Sequence, residues 1–144
     1  MSITRALKHI GLGVLGLLLS TSVCRAVDVV VVVSAQSPVT SISKNQIADI
    51  FLGKSNRLPT GEDAVPIDQP EASAARDEFY SKFTGKSDAQ VKAHWSKMIF
   101  TGRGQPPRQA SNSAEVKKLV AENPRAIGYI EQGFADSTVR VLSQ

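Results

Sequence analysis

Five consecutive valines, Val29 to Val33 within the stretch Asp28 to Ser34, constrain this chain more than any other feature. β-Branched side chains lose rotamer freedom in a helix and pack well on a pleated sheet. An apolar run without alternation has no polar face to turn to water, so it reads as a strand covered on both sides. Such a strand needs helices above and below it. The expectation is an α/β domain with a mainly parallel sheet flanked by helices.

The remaining pattern supplies those helices. Ser43 followed by Gln46 is a capping box, and Ile47, Ile50 and Phe51 form the apolar stripe behind it. Gly53 ends this helix, and Lys54 to Asp63 is a polar loop. Val65 to Ile67 is a short strand that runs into the turn Asp68-Gln69-Pro70-Glu71. A helix from about Ala72 to Thr84 stacks Ala75, Phe79 and Phe83, and Gly85 stops it. Ser87 with Gln90 opens a third helix, expected to bury Val91, Trp95, Met98 and Ile99 and to end by Gly102. Thr101 to Arg108 reads as a rigid Gly/Pro loop. Asn112 or Ser113 starts a fourth helix with Val116, Leu119 and Val120 inward, and Asn123-Pro124 ends it. Ala126 to Ile130 and Val139 to Leu142 are strands. In open sheets of this kind ligands bind beyond the carboxyl ends of the strands.

The first 26 residues read as an export leader. Arg5 and Lys8 precede an apolar run from Ile10 to Leu19, too short to span a bilayer, and small residues before Ala26 fit cleavage there. An uncleaved anchor and a lipoprotein acylated at Cys24 are the alternatives. Cleavage would take the basic count from 17 to 14 against 13 acids, so the net charge falls from +4 to +1. No nucleic-acid partner follows from that balance. The single cysteine, Cys24, would leave with the leader, and the remaining 118 residues are enough for one modest core without disulfides.

Chemistry concentrates in Val65 to Phe83. The first turn of a helix presents unpaired N–H groups and a partial positive charge, which suits an anion. Small residues at Ala72, Ala74 and Ala75 leave room for one, with Ser73 and Arg76 beside them. Ser73 has two readings, as an anion donor or as a helix cap. Arg76 either clamps an anion with its planar donors or pairs with Asp77 or Glu71 on the surface. Asp68 and Glu71 read as turn formers and helix N-terminal charge. Arg103 and Arg108 flank a loop that is either a backbone anion nest or a plain connector. His94 has no second histidine beyond the leader, so it reads as no metal ligand. Trp95, Phe79 and Phe83 read as core. The hydroxyl of Tyr129 has no determined direction. No nucleophile–base pair, metal cluster or Gly-rich nucleotide loop is present in the sequence, so neither an enzyme nor a cofactor is expected.

Three segments in order carry a resemblance. Ser43 to Lys54 (SKNQIADIFLGK), Pro66 to Phe79 (PIDQPEASAARDEF) and Ala126 to Ile130 (AIGYI) are similar to parts of the PstS-like phosphate ABC transporter substrate-binding proteins. The resemblance implies a reduced type II periplasmic-binding-protein-like domain over residues 27–144. It also implies a non-enzymatic, periplasmic protein that captures phosphate or a related oxyanion and passes it to an ABC permease. The family's phosphate loop reads roughly Arg-Ser-Asp-Gly-Ser-Gly-Thr. Aligned on its second serine, Gln69 takes the place of the arginine and Ala75 that of the threonine, so only Ser73 carries over directly. Arg76, one position later, offers the missing charge. Hydroxyls contributed by the family's first lobe have Ser34, Ser37 and Thr40 as their nearest counterparts. The implied ligand set is therefore Ser73, Ala74, Arg76, Gln69, Ser34, Ser37 and Thr40. The alternative is an interaction or sensor module on the same fold, with a vestigial anion site and an envelope partner.

Overall fold

The valine run is a strand, and its side chains divide between two cores. A computed structural model describes residues 27–142; the leader, its cleavage after Ala26 and Cys24 lie outside the described residues. β1 (Val29–Ser34) sends Val29, Val31 and Val33 into one hydrophobic cluster and Val32 into the other, with Val30 packed against that second cluster. This is the period-two alternation of a strand with apolar residues in both phases.

The other elements follow in order: α1 (Lys44–Phe51), β2 (Val65–Asp68), α2 (Ala74–Thr84), α3 (Asp88–Phe100), β3 (Arg108–Gln109), α4 (Ser113–Glu122), β4 (Ala126–Glu131), a 3-10 turn (Gln132–Phe134) and β5 (Val139–Val141). The sheet order is β3-β2-β4-β1-β5. β2 pairs in parallel with β3 and β4, whereas β1 pairs antiparallel with both β4 and β5. Four strands thus share one direction and β1 alone opposes them, so the sheet is mainly parallel as expected. β3 was not expected. It is two exposed residues directly after Pro106-Pro107, too short and polar to stand out from a loop.

Helices cover both faces. α1, α2 and α3 pack Ile47, Phe51, Phe79, Phe83 and Trp95 against Val31, Ile127 and Tyr129. Among the described residues α4 is the one helix on the other face, with Val116 and Val120 against Val32, Ile67 and Ile130. Its close approach is made possible by Gly128, where a Cβ would stand 2.6 Å from Val116 Cγ1.

The caps are those the sequence announces. Ser43 with Gln46 and Ser87 with Gln90 each form a two-way capping box, and Asn112 caps α4 by accepting from the Glu115 N–H. Helix α2 begins at Ala74, two residues later than expected, because Ser73 is its cap and Ala72 takes a left-handed φ of 64°. Ile99, expected in the core, is exposed, since α3 buries only Val91 and Trp95 fully and then runs past the edge of the domain.

Candidate functional site

β2 ends at Asp68, on the side of the sheet where β3 and β4 also end, and the chain turns there into α2. Ser73 Oγ accepts from the Arg76 N–H at 3.2 Å, and its carbonyl accepts the first helical bond from Asp77 at 3.1 Å. The N–H groups of Ala74 and Ala75 take no acceptor among the described residues. Two donors of the helix start therefore stay free beside small side chains, which is the local requirement for an anion.

The charged residues below that helix start are occupied. Arg76 is buried, and its guanidinium donates to Asp68 at 3.3 Å, to Asp88 at 3.2 Å and to the Gln69 carbonyl at 3.0 Å. Burial disfavours its charge, but Asp68, Tyr80, Tyr129 and Asp88 outweigh that and hold its pKa above the ordinary value. Neither Asp77 nor Glu71 is its partner. The two aspartates it engages are eight and twelve residues along the chain, and the fold rather than helix spacing brings them in.

Asp68 is the hub of this network. It accepts from Tyr80 Oη at 2.6 Å, from Tyr129 Oη and from the Gln69 N–H at 2.8 Å, besides Arg76. Burial raises both tyrosine hydroxyls well above their ordinary range, and the Asp68 carboxylate adds to it. The Tyr129 hydroxyl thus points toward β2. Gln69 is also buried, and its side-chain amide donates to Ser113 Oγ at 3.2 Å and to the Tyr129 carbonyl at 3.0 Å. One polar cluster ties together the end of β2, the first turn of α2, the start of α3, the start of α4 and β4.

Ser73, Ala74, Arg76 and Gln69 are thus brought together, although Arg76 and Gln69 are engaged within the protein. Ser34, Ser37 and Thr40 are not brought to them. β1 runs opposite to its neighbours, so its end at Ser34 lies beside the starts of β4 and β5. The loop that follows leaves from the opposite edge of the sheet. Ser34 Oγ donates to the Ala121 carbonyl at 3.2 Å, Ser37 Oγ accepts from the Val39 N–H at 3.2 Å, and Arg140 clamps the loop through the Ser37 and Val39 carbonyls. The expectation that Ser34, Ser37 and Thr40 join the ligand set at the α2 start fails because pairing direction cannot be read from valines.

Beside the helix start lies a crevice of about 190 Å³ between the turn after β2 and the side of α3. Asp68, Glu71, Arg76, Lys92, Ser96 and Trp95 are among its walls. Lys92, which sequence reasoning passed over, faces Glu71 at 3.7 Å. His94 Nε2 donates to the Leu52 carbonyl at 2.7 Å, and among the described residues no group of acids, histidines or cysteines is placed to hold a metal ion. Arg103 and Arg108 are exposed, and Arg108 belongs to a separate, larger cleft of about 360 Å³ on the α1 side.

A mainly parallel sheet with helices on both faces, its one opposed strand second from an edge, and a crevice at the strand ends make this a periplasmic-binding-protein-like α/β fold. The chain superposes with a TM-score of 0.64 on a phosphate-bound ABC transporter substrate-binding protein from Clostridium perfringens, at 22% identity over 80% of this chain and 44% of that one. It is similar to the same degree (TM-score 0.64, 22% identity, 80% of this chain, 45% of the other) to an ABC-type phosphate transport receptor from Vibrio cholerae. PstS from Borrelia burgdorferi matches at a TM-score of 0.59 and 18% identity, over 81% of this chain and 46% of that one. The chain therefore spans less than half the length of these proteins. No protein-family model matches the sequence, and a search of curated proteins gives no match.

Proposed function

We propose that this chain is an exported solute-binding protein that holds phosphate or a related oxyanion at the start of α2 and serves an ABC-type transporter. In this reading residues 1–26 are the leader, cleavage follows Ala26, and residues 27–144 act in the periplasm. The observation that carries it is the pair of unengaged N–H donors at Ala74 and Ala75, capped by Ser73, at the carboxyl end of a parallel strand. Solved structures of the same fold carry phosphate-transport names, which supports this ligand class and a binder instead of an enzyme. Arg76 keeps a supporting role, holding the helix start in place from below.

Isothermal calorimetry with inorganic phosphate tests the reading. Binding is expected for the wild type and lost in Ser73→Asp, because aspartate caps a helix as well as serine does but sets a negative charge beside the anion. No heat with phosphate, sulfate or arsenate would reject it.

One observation favours the second reading, an interaction or sensor module. Phe100 is 93% exposed beside the half-exposed Ile99 at the end of α3, next to the crevice. Adjacent exposed apolar side chains at a site rim mark a contact surface. Retention of the folded protein on immobilised envelope extract, lost in Phe100→Ser with phosphate heats absent, would favour that module over the transporter role.

A further inference from the structure

An anion in the crevice needs a cation whose charge is not already offset, and that of Arg76 is shared between Asp68 and Asp88. Its Nε donates to Asp88 and its Nη1 to Asp68 and the Gln69 carbonyl, while Nη2 makes no hydrogen bond among the described residues. Withdrawing it would strand two carboxylates, one of them fully buried. Along α3, Lys92, Ser96 and Ile99 follow at i, i+4 and i+7 and line the same crevice. Lys92 Nζ stands 3.7 Å from Glu71 Oε2, and the two side chains are 67% and 49% exposed. A long, solvated pair of this kind is held weakly and exchanges partners readily. Trp95, which borders both this crevice and the larger cleft, carries a buried indole N–H with no partner among the described residues. Buried donors are nearly always satisfied, so an unused one beside a cavity points to an acceptor brought from outside.

We infer that Lys92 is the ligand-recognising cation of this crevice and that Glu71 is its resident competitor. An oxyanion entering between α3 and the α2 start takes the Lys92 ammonium from Glu71. Glu71 then sets a threshold: a solute must carry enough negative charge to displace a carboxylate. At about 190 Å³ the crevice is smaller than the roughly 300–1,000 Å³ of pockets for drug-sized ligands, which suits a small oxyanion. This inference rests on the oxyanion reading above.

Trp95 is the single tryptophan of the chain and borders both this crevice and the larger cleft, so its fluorescence reports on the two together. Titration of the purified protein with inorganic phosphate is expected to change that emission saturably. Lys92→Gln should weaken phosphate binding by about tenfold or more, the worth of one charge-assisted hydrogen bond. Lys92→Arg should restore most of it, and Glu71→Gln should tighten it. Lys118→Gln, an exposed charge on the opposite face of the sheet, should change nothing. Lys92 is exposed, so none of its variants threatens the fold. If the wild type binds phosphate and Lys92→Gln binds it equally well, the role of Lys92 is overturned while the oxyanion reading stands. If the wild type binds no oxyanion, both fall.

Discussion

The Arg76 guanidinium lies 3.3 Å from the Asp68 carboxylate, and these side chains are only 4% and 3% exposed. Deep burial makes the pair costly to form, and breaking it from one side is costlier still. Four further groups, Tyr80, Tyr129, Asp88 and Gln69, share the load, so each charge is paired and hydrogen-bonded. The cluster is best understood as the foundation of the α2 start. It fixes the turn from β2 into α2 from below, leaving the helix N–H groups above it open.

Asp68→Asn is therefore expected to cost about 3–5 kcal/mol, because Arg76 is left buried without its main counter-charge. Replacing both partners with apolar residues of similar size, Asp68→Leu with Arg76→Met, should cost less than the single change. Urea unfolding of the two variants checks this. A single variant that is no less stable than the double would mean that the pair is not the anchor of the turn.

Gly128→Ala tests the contact between α4 and the sheet. The added Cβ would meet Val116 Cγ1 at 2.6 Å and Val120 Cγ2 at 3.1 Å, in a core with little room to give. Overpacking of this kind costs about 1–3 kcal/mol. Val116→Ala opens the space, so the double variant should lose less stability than the sum of the two single losses. A strictly additive cycle by urea denaturation would contradict the close approach.

Much of this arrangement is legible in the residues. The valine run carries its two-sided burial because apolar residues occupy both phases of a strand, and the capping boxes at Ser43 and Ser87 mark their helices directly. The direction of β1 is not legible, since valine pairs equally well either way, and with it went the placement of Ser34, Ser37 and Thr40. β3 escaped notice because two polar residues have no period. The sequence offers Asp77 and Glu71 as surface partners of Arg76, whereas tertiary packing supplies Asp68 and Asp88 from the end of a strand and the start of another helix. Lys92 reads in sequence as an ordinary solvated lysine. Only the fold places its helix face along the crevice.

The acid side of the stability profile should depend on the tie between α4 and the connection into β5. Lys117 Nζ donates to Asp136 at 2.8 Å, and with Thr138 it lowers the Asp136 pKa from 3.8 to about 2. A carboxylate depressed by folding stabilises the native state above its unfolded pKa, and that contribution is lost as the pH falls through the folded value. The loss should therefore run from about pH 4 down to about pH 2. Urea midpoints across that window are expected to fall for the wild type and to fall less steeply for Asp136→Asn. Equal slopes would remove Asp136 from the account.

The alkaline side should be governed by Tyr80 and Tyr129, the only two tyrosines in the chain. Both hydroxyls are buried against Asp68, and both have pKa values raised well above the ordinary 10.0, by burial first and by the carboxylate second. A group whose pKa rises on folding lends its full stability below the unfolded value and gives it up as the pH climbs beyond it. The folded protein is thus expected to show no phenolate absorbance near pH 10, and the phenolate signal should appear only together with the loss of near-ultraviolet circular dichroism. Tyr80→Phe removes one donor to Asp68 and should cost about 1–2 kcal/mol at neutral pH while making the alkaline limb shallower. A tyrosine that ionises near pH 10 while the near-ultraviolet spectrum stays native would show that the Asp68 cluster is open to solvent, and the closed foundation described for the α2 start would have to be abandoned.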